Sequence, residues 1–321
     1  MKVAIVCPYA LDHMGGVQSH ARQLTAELLA RGVDAWLVGP GREPSKATEF
    51  QVGGGFRVSA NGSRVPIALS PLVGRRLLAR AEEADVVHVH EPWIPIAGWA
   101  AQLTAKPTIL TFHADPANLI RRAYGHSAWL LARLANRSKA VTVVSRTAAS
   151  AIAPFAPHPV IIPNGVEVNP MAGRARRSQS AVFVGRDEDR KGLKVLLRAW
   201  PQVRAKFPNA RLTVLTSRTQ PMMEGVEVLV GADDPTKLER LASSAVFVAP
   251  NLGGESFGIT VAEAMAAGCA VVASDIPAFA DLLGGAGRLV VPGDSVGLAA
   301  TLSGLFEDED RLANMAASSS E

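Results

Sequence analysis

Glu255 and Glu263 are two carboxylates eight residues apart in APNLGGESFGITVAEAMAAGCAVVAS, residues 249–274, where a glycine turn joins an apolar strand to a helix and a second apolar strand. Gly253 and Gly254 can take backbone angles closed to other residues. Such a turn can aim successive amides at an anion, and the dipole of the following helix favours negative charge there. The eight-residue spacing places Glu263 a little over two helical turns beyond Glu255, at roughly 1.5 Å rise per residue, so the two acids could grip well-separated parts of one ligand. A bare phosphate needs no such pair. A Gly-rich turn before a helix is also ordinary scaffold, and a Glu at a helix start is usually a dipole contact. Glu263 separates the readings: its neighbours Val261, Ala262, Ala264, Met265, Ala266 and Ala267 are small or apolar, and an acid among them is seldom buried without a partner.

A second glycine pair, Gly15 and Gly16, follows the first apolar run in PYALDHMGGVQSH and brings backbone amides to a helix N-terminus. It is not G-x-G-x-x-G, which argues against a nicotinamide dinucleotide and leaves a purely structural turn as the alternative. His88 and His90 alternate onto one face of a strand. That pattern fits either hydrogen-bonded core histidines or half of a metal set, and with no third ligand in evidence no metal site is expected. His113 is different, because it emerges where a strand ends, with Asp115 close by. In the second half, the loop Gly185-Arg186-Asp187-Glu188-Asp189-Arg190-Lys191-Gly192 follows another apolar run. Charged loops are usually solvated surface, yet Arg186 and Lys191 bracket it where paired cations can neutralise a diphosphate.

These residues need a scaffold, and the apolar runs supply it. Short runs alternate with helical stretches: Val3 to Cys7, Ala35 to Val38, Val86 to His90, Thr108 to Phe112, Ala140 to Val144 and Val160 to Ile162, then Ala181 to Val184, Arg211 to Leu215, Val226 to Leu229, Val246 to Ala249, Ala270 to Ala273 and Arg288 to Val291. This is the pattern of α/β domains whose parallel sheets are covered on both faces. The joint falls at Pro163-Asn164-Gly165-Val166, before a loose basic segment from Asn169 to Ser180, giving domains 1–165 and 166–321. Ligands of open α/β sheets bind at the carboxyl ends of strands, so two such domains facing each other are expected to share a cleft.

The chain has 321 residues, 48% of them apolar, enough for two cores. No run approaches the roughly 18 apolar residues of a spanning helix, and the strand-like opening Met1 to Pro8 is too short for a signal peptide, so a cytoplasmic protein is expected. Cys7 and Cys269, in or near apolar strands, read as buried reduced thiols. The net charge of +4 conceals an asymmetry: residues 1–165 hold 17 Lys and Arg against 10 Asp and Glu, residues 166–321 hold 16 against 19. The basic half suits an anionic partner; aromatic residues are only 5% and no nucleic-acid motif appears, so no nucleic acid is expected.

Taken in order, CPYALDHMGGVQSH, VVHVHEP, TFHAD, IPNGVEV, FVGRDEDRKG, DDPTK, APNLGGESFG and VAEAMAAG resemble the motifs of retaining glycosyltransferases of family four, above all the actinobacterial phosphatidylinositol mannosyltransferases. The resemblance covers nearly the whole chain and implies the GT-B fold, two Rossmann-like doubly wound domains. It implies a nucleotide-diphosphate sugar as donor, GDP-mannose ahead of a UDP-sugar, with no cofactor and no metal. Residue by residue, Gly16 would offer its amide to the diphosphate, Arg186 and Lys191 would balance its charge, Glu255 would bind sugar hydroxyls, Glu263 the ribose, and His113 would contact the sugar near its reacting face. Gly15, Arg190, Gly254, Ser256, Phe257 and Gly258 complete the donor set, and Tyr9, Asp12, Gln18 and Trp93 lie on the acceptor side.

The chain also departs from the pattern. Trp93 and Ala114 stand where the mannosyltransferases carry Asn and Thr, and the lysine expected near Asn118 is missing, so a sugar, a lipid and a small metabolite all stay open as acceptor. The family's C-terminal crossover helix is expected to be missing from a chain that stops at Glu321. Residues 71–82 mix Arg75, Arg76 and Arg80 with leucines at helical spacing: an ordinary half-packed helix, or, by the resemblance, a basic helix that holds the protein peripherally against anionic lipid at the inner face of the cell membrane. A nucleotide-sugar-binding protein without turnover and a sugar-nucleotide epimerase are the competing functions.

Overall fold

The structure, a computed structural model, describes residues 1–13, 15–42, 47–60, 63–114, 122, 125–166 and 176–320. The chain divides into two compact units, Met1–Gly165 and Val166–Glu321.

In the first unit the strands are β1 (Lys2–Val6), β2 (Asp34–Gly39), β3 (Glu49–Gln51), β4 (Phe56–Ala60), β5 (Ser63–Ile67), β6 (Val86–His90), β7 (Thr108–Phe112), β8 (Ala140–Val143) and β9 (Val160–Ile161). Seven of them form a parallel sheet in the order β3-β2-β1-β6-β7-β8-β9, and β4 and β5 make a separate antiparallel hairpin. Helices α1 (Gly16–Ala30), α2 (Pro71–Glu82), α3 (Ala97–Ala101), α4 (Ala128–Ala135) and α5 (Arg146–Ile152) accompany them.

The second unit carries β10 (Arg177–Val184), β11 (Arg211–Thr216), β12 (Val226–Val230), β13 (Ser244–Ala249), β14 (Ala270–Ser274) and β15 (Arg288–Val290), all parallel, in the order β12-β11-β10-β13-β14-β15. Numbered within the unit this is 3-2-1-4-5-6, the Rossmann order, and it reverses between β10 and β13. The first sheet reverses likewise between β1 and β6. Helices α6 (Leu193–Lys206), α7 (Asp234–Ser243), α8 (Ile259–Ala266), α9 (Pro277–Leu283), α10 (Ser295–Glu307) and α11 (Glu309–Ser320) complete the unit.

The central strands are apolar runs because both faces of the sheet are covered there. Every residue of β13 and of β14 is buried. Consecutive residues feed opposite cores: Ala181 and Phe183 pack with Leu196, Trp200 and Leu302, whereas Val182 packs with Phe247, Val261 and Phe279. Met315 brings α11 into the first of these clusters.

Two expectations change here. Residues 177–180, read as part of a loose joint, begin β10. A bulge with Gln179 at φ 54° lets Ser180 accept from the Ala245 amide at 2.9 Å, so polar residues enter the sheet through local bonding that hydropathy does not reveal. Helix α8 starts at Ile259, with Gly258 before it at φ 97°, so Glu255 sits in the turn and the two-turn spacing to Glu263 does not apply.

Candidate functional site

The loops after β10 and β13 leave neighbouring strands at the point where the second sheet reverses, the place where doubly wound sheets bind ligands. The backbone knits the two loops together, because Leu252 donates its amide to the Arg190 carbonyl at 2.8 Å. Gly192 permits this approach: its φ is +70° and a Cβ would lie 1.8 Å from the Pro250 carbonyl oxygen. The second loop turns on Gly253 (φ +145°) and Gly254 (φ +66°), conformations that favour glycine.

On this frame Lys191 Nζ donates to Glu255 Oε2 at 2.6 Å, and Asn251 Nδ2 donates to the same oxygen at 3.1 Å. Arg190 spans the loops, with Nη1 on the Gly254 carbonyl at 3.0 Å and Nε on Glu188 at 2.9 Å. Arg186 is more open and lies 3.3 Å from Glu188. Burial alone would raise the Glu255 pKa, but Lys191, Arg190 and Asn251 outweigh it and hold the carboxyl below its usual range, so Glu255 is an anion at neutral pH. Phe257 is buried, so only its main chain can serve a ligand, and Ser256 and Gly258 continue the same turn to α8.

Glu263 has the partner its surroundings demand. Lys237, on α7, donates to Oε1 at 2.8 Å and also pairs with Asp234 at 3.1 Å. Burial pushes the Glu263 pKa up despite Lys237, while Glu263 and Asp234 outweigh burial and raise that of Lys237. The other oxygen, Oε2, is buried and accepts no hydrogen bond from the described residues. Lys237, Asn251 and Glu188 are absent from the sequence-derived set. For Lys237 the signal was available, since an acid on an apolar helix requires a nearby cation.

In the first unit, Gly15 caps α1 in extended conformation with no side-chain bond, leaving first-turn amides for an anion. A Cβ on Gly15 would meet only the movable end of the Gln18 side chain, so neither a left-handed turn nor fixed backbone demands glycine here. His113 follows β7, and its Nε2 lies 2.8 Å from His90 Nδ1. Glu91 locks that position: buried and at φ 46°, it accepts the amides of His113 at 2.6 Å and Ala114 at 2.7 Å, and burial pushes its pKa up to about 7. His88 stacks on His90 at 4.5 Å and bonds Thr111 Oγ1 at 2.6 Å, a satisfied core histidine. His20 also contacts the rings of His90 and His113, a grouping that sequence spacing did not reveal. Asp115 lies outside the described residues.

The acceptor-side residues divide. Asp12 holds His13 at 2.9 Å, which helps keep its pKa low against burial, and Tyr9 is half-buried where it bridges to Ile67. Gln18 is buried with Nε2 on the Ala10 carbonyl at 3.2 Å. Trp93 departs from the expectation: its ring is buried 5.7 Å from both Phe112 and Phe155, because an indole on this short connection fills the core beneath it instead of facing a ligand. Cys7 and Cys269 are free, buried thiols, each pushed up to about 12 by burial.

Two Rossmann-like units in one chain, with cations and carboxylates at the switch point of the second, define the class as GT-B glycosyltransferases. Residues 14–169 match the family described as Glycosyltransferase Family 4, and residues 178–308 the one described as Glycosyl transferases group 1. The phosphatidyl-myo-inositol mannosyltransferase of Mycolicibacterium smegmatis is 35% identical over 349 aligned residues, covering 100% of this chain and 89% of its own length. That of Propionibacterium freudenreichii is 35% identical over 304 residues, covering 88% and 79%. The chain belongs to glycosyltransferase family four and is a glycosyltransferase. Among solved structures, Anabaena HepE in complex with UDP-glucose shares the fold with a TM-score of 0.75 at 16% identity, over 100% of this chain and 93% of that one. Sucrose-phosphate synthase from Thermosynechococcus elongatus does so at 0.69 and 16%, again over 100% and 93%.

Proposed function

We propose that the enzyme moves a hexose, with mannose favoured, from a nucleoside-diphosphate sugar to an acceptor hydroxyl and retains the configuration at the anomeric carbon. The observation that carries this reading is the Arg190, Lys191, Glu255 and Asn251 cluster at the reversal of the second sheet. Lys191 keeps two of its three N–H donors for phosphate oxygens while the third holds Glu255. Arg190 and the more exposed Arg186 add the charge needed to stabilise a departing diphosphate. Ionised Glu255 accepts hydrogen bonds from the hexose hydroxyls. Glu263 Oε2, buried and without a donor among the described residues, accepts from a ribose hydroxyl.

The bond from the anomeric carbon to the diphosphate oxygen breaks first. The acceptor oxygen then bonds to that carbon on the same face, and its proton passes to the departing diphosphate. The protein orients the groups and stabilises charge; it supplies no nucleophile in this scheme. In the first unit, the amides at Gly15 and Gly16 are assigned to an anionic group, His113 to a sugar hydroxyl, and Tyr9 and Asp12 to the acceptor. GDP-mannose is favoured because relatives 35% identical to this chain are mannosyltransferases. Arg75 and Arg76, exposed on α2, are assigned to an anionic lipid surface.

The test is incubation with radiolabelled GDP-mannose or a UDP-hexose and a mixed acceptor pool of phosphatidylinositol, oligosaccharides and small polyols, with products read by mass. Mannose transfer, with slow donor hydrolysis when acceptor is withheld, is expected. Donor binding with neither transfer nor hydrolysis would make this a binding protein, and a rearranged nucleotide sugar would make it an epimerase.

A further inference from the structure

Three imidazoles of the first unit converge from three elements: His20 on α1, His90 at the end of β6 and His113 just past β7. One ring nitrogen of each lies within 4.8 Å of the other two. His20 meets both partners edge-on, with ring centroids 5.4 Å from His90 and 5.0 Å from His113. The transfer chemistry uses neither His20 nor His90. His90 is completely buried, and its Nε2 finds no hydrogen-bond partner among the described residues. A buried polar atom left so costs about 1–3 kcal/mol, a cost that ligation through the other nitrogen would not remove, so the case for a site is the convergence of the three rings. His20 makes no hydrogen bond among the described residues either, so its ring is held at the cluster by contact alone.

We propose that His20, His90 and His113 bind a divalent transition-metal ion of the zinc class through one nitrogen each, with water in the fourth position. Neutral imidazole suits zinc, cobalt, nickel and copper, whereas magnesium and calcium prefer oxygen, so the site discriminates by ligand type. Metal–nitrogen bonds of about 2.0–2.1 Å in a tetrahedral site set the ligand nitrogens about 3.3 Å apart. The 2.8 Å contact between His90 Nδ1 and His113 Nε2 therefore opens by about half an ångström as the ion enters. These two nitrogens share one hydrogen when no ion is bound. Ligation moves it to the other nitrogen of the same ring, both rings stay neutral, and no proton need be released. The edge-on approach of His20 brings the third nitrogen in from the helix side. The proposal shares His113 with the sugar-hydroxyl assignment but not His20 or His90, and its test reads metal binding alone, through His20.

Full-length protein free of any histidine tag and stripped with a chelator is titrated with Co2+. The expected result is the visible absorption of four-coordinate cobalt, saturating at one ion per chain and displaced by Zn2+, with Zn2+ also raising the thermal midpoint. His20→Ala loses both effects, while His126→Ala, at an exposed histidine, keeps them. Should His20→Ala fail to fold, His20→Gln, which preserves most of the volume, takes its place. Absence of the cobalt bands in the wild-type protein, or their persistence in a folded His20 variant, would overturn the assignment.

Discussion

Lys191 and Glu255 are the residues through which the donor reading is most directly tested. Lys191→Ala removes a positioned donor from the place where leaving-group charge develops, and a fall of about 10²–10³-fold in kcat is expected, with the far-UV spectrum unchanged. Full activity in this variant would remove the diphosphate assignment. Glu255 also links the site to stability. Its folded pKa lies below the unfolded value of 4.5, so its ionised form stabilises the native state at neutral pH. That contribution is complete above the unfolded pKa and is lost as pH falls through the folded one. Denaturant melts taken downward from pH 6 should therefore fall less steeply in Glu255→Gln than in wild type, and parallel slopes would show that the Lys191 pair contributes nothing. Glu255 was legible in the sequence because a carboxylate beside two glycines is conspicuous. Its companions Asn251 and Glu188 were not, since ordinary polar residues in loops declare a role only when the fold brings their partners within reach.

The elements were legible to the degree that both their faces are buried. Twelve of the thirteen described strands of the two parallel sheets stood out as apolar runs, most clearly the wholly buried β13 and β14, because a covered parallel strand has no polar face to break the run; β9, exposed at both residues, stood out by its Val and Ile alone. The strands that escaped are β3, β4 and β5. Strand β3 is three residues long and carries Glu49, whose carboxylate takes the Arg22 guanidinium at 2.8 Å, so its burial rests on an ion pair that hydropathy cannot show. The hairpin strands place Arg57, Ser59, Ser63 and Arg64 among their apolar residues, so no apolar run marks them. One glycine tests how tightly the site loops are joined. Gly192→Ala meets both a left-handed backbone and the Pro250 carbonyl, while Gly284→Ala, at φ +54° with open space around it, meets only the first. The Gly284 variant should lose about 1–2 kcal/mol and the Gly192 variant clearly more, by chemical denaturation. Equal losses would mean that the approach of the two loops relaxes freely.

At the scale of the whole molecule, charge is distributed by unit: 17 basic against 10 acidic residues in Met1–Gly165, and 16 against 19 in the remainder. That contrast was readable from the sequence because the unit boundary falls at Pro163-Asn164-Gly165, residues that end a strand. Which basic residues are available to a partner was not, since availability depends on neighbours. On α2, Val73, Leu77 and Ala81 face the core, and Arg75 and Arg76 point outward beside Leu72, which is 53% exposed. Arg80 is already engaged, lying 4.3 Å over the Phe50 ring and 3.1 Å from Glu83. Basic residues near an anionic bilayer contribute about 1 kcal/mol each, and the attraction decays over about 10 Å at 0.1 M salt. The protein should therefore co-sediment with phosphatidylserine-containing vesicles at low salt and be released as salt rises. Replacing both Arg75 and Arg76 by Ala removes about 2 kcal/mol and should weaken partitioning about 30-fold, whereas Arg80→Ala should change it far less. No co-sedimentation at low salt would sink the membrane assignment, and an equal effect of all three arginines would show that the field of the whole basic unit, not this face of α2, draws the protein to the surface.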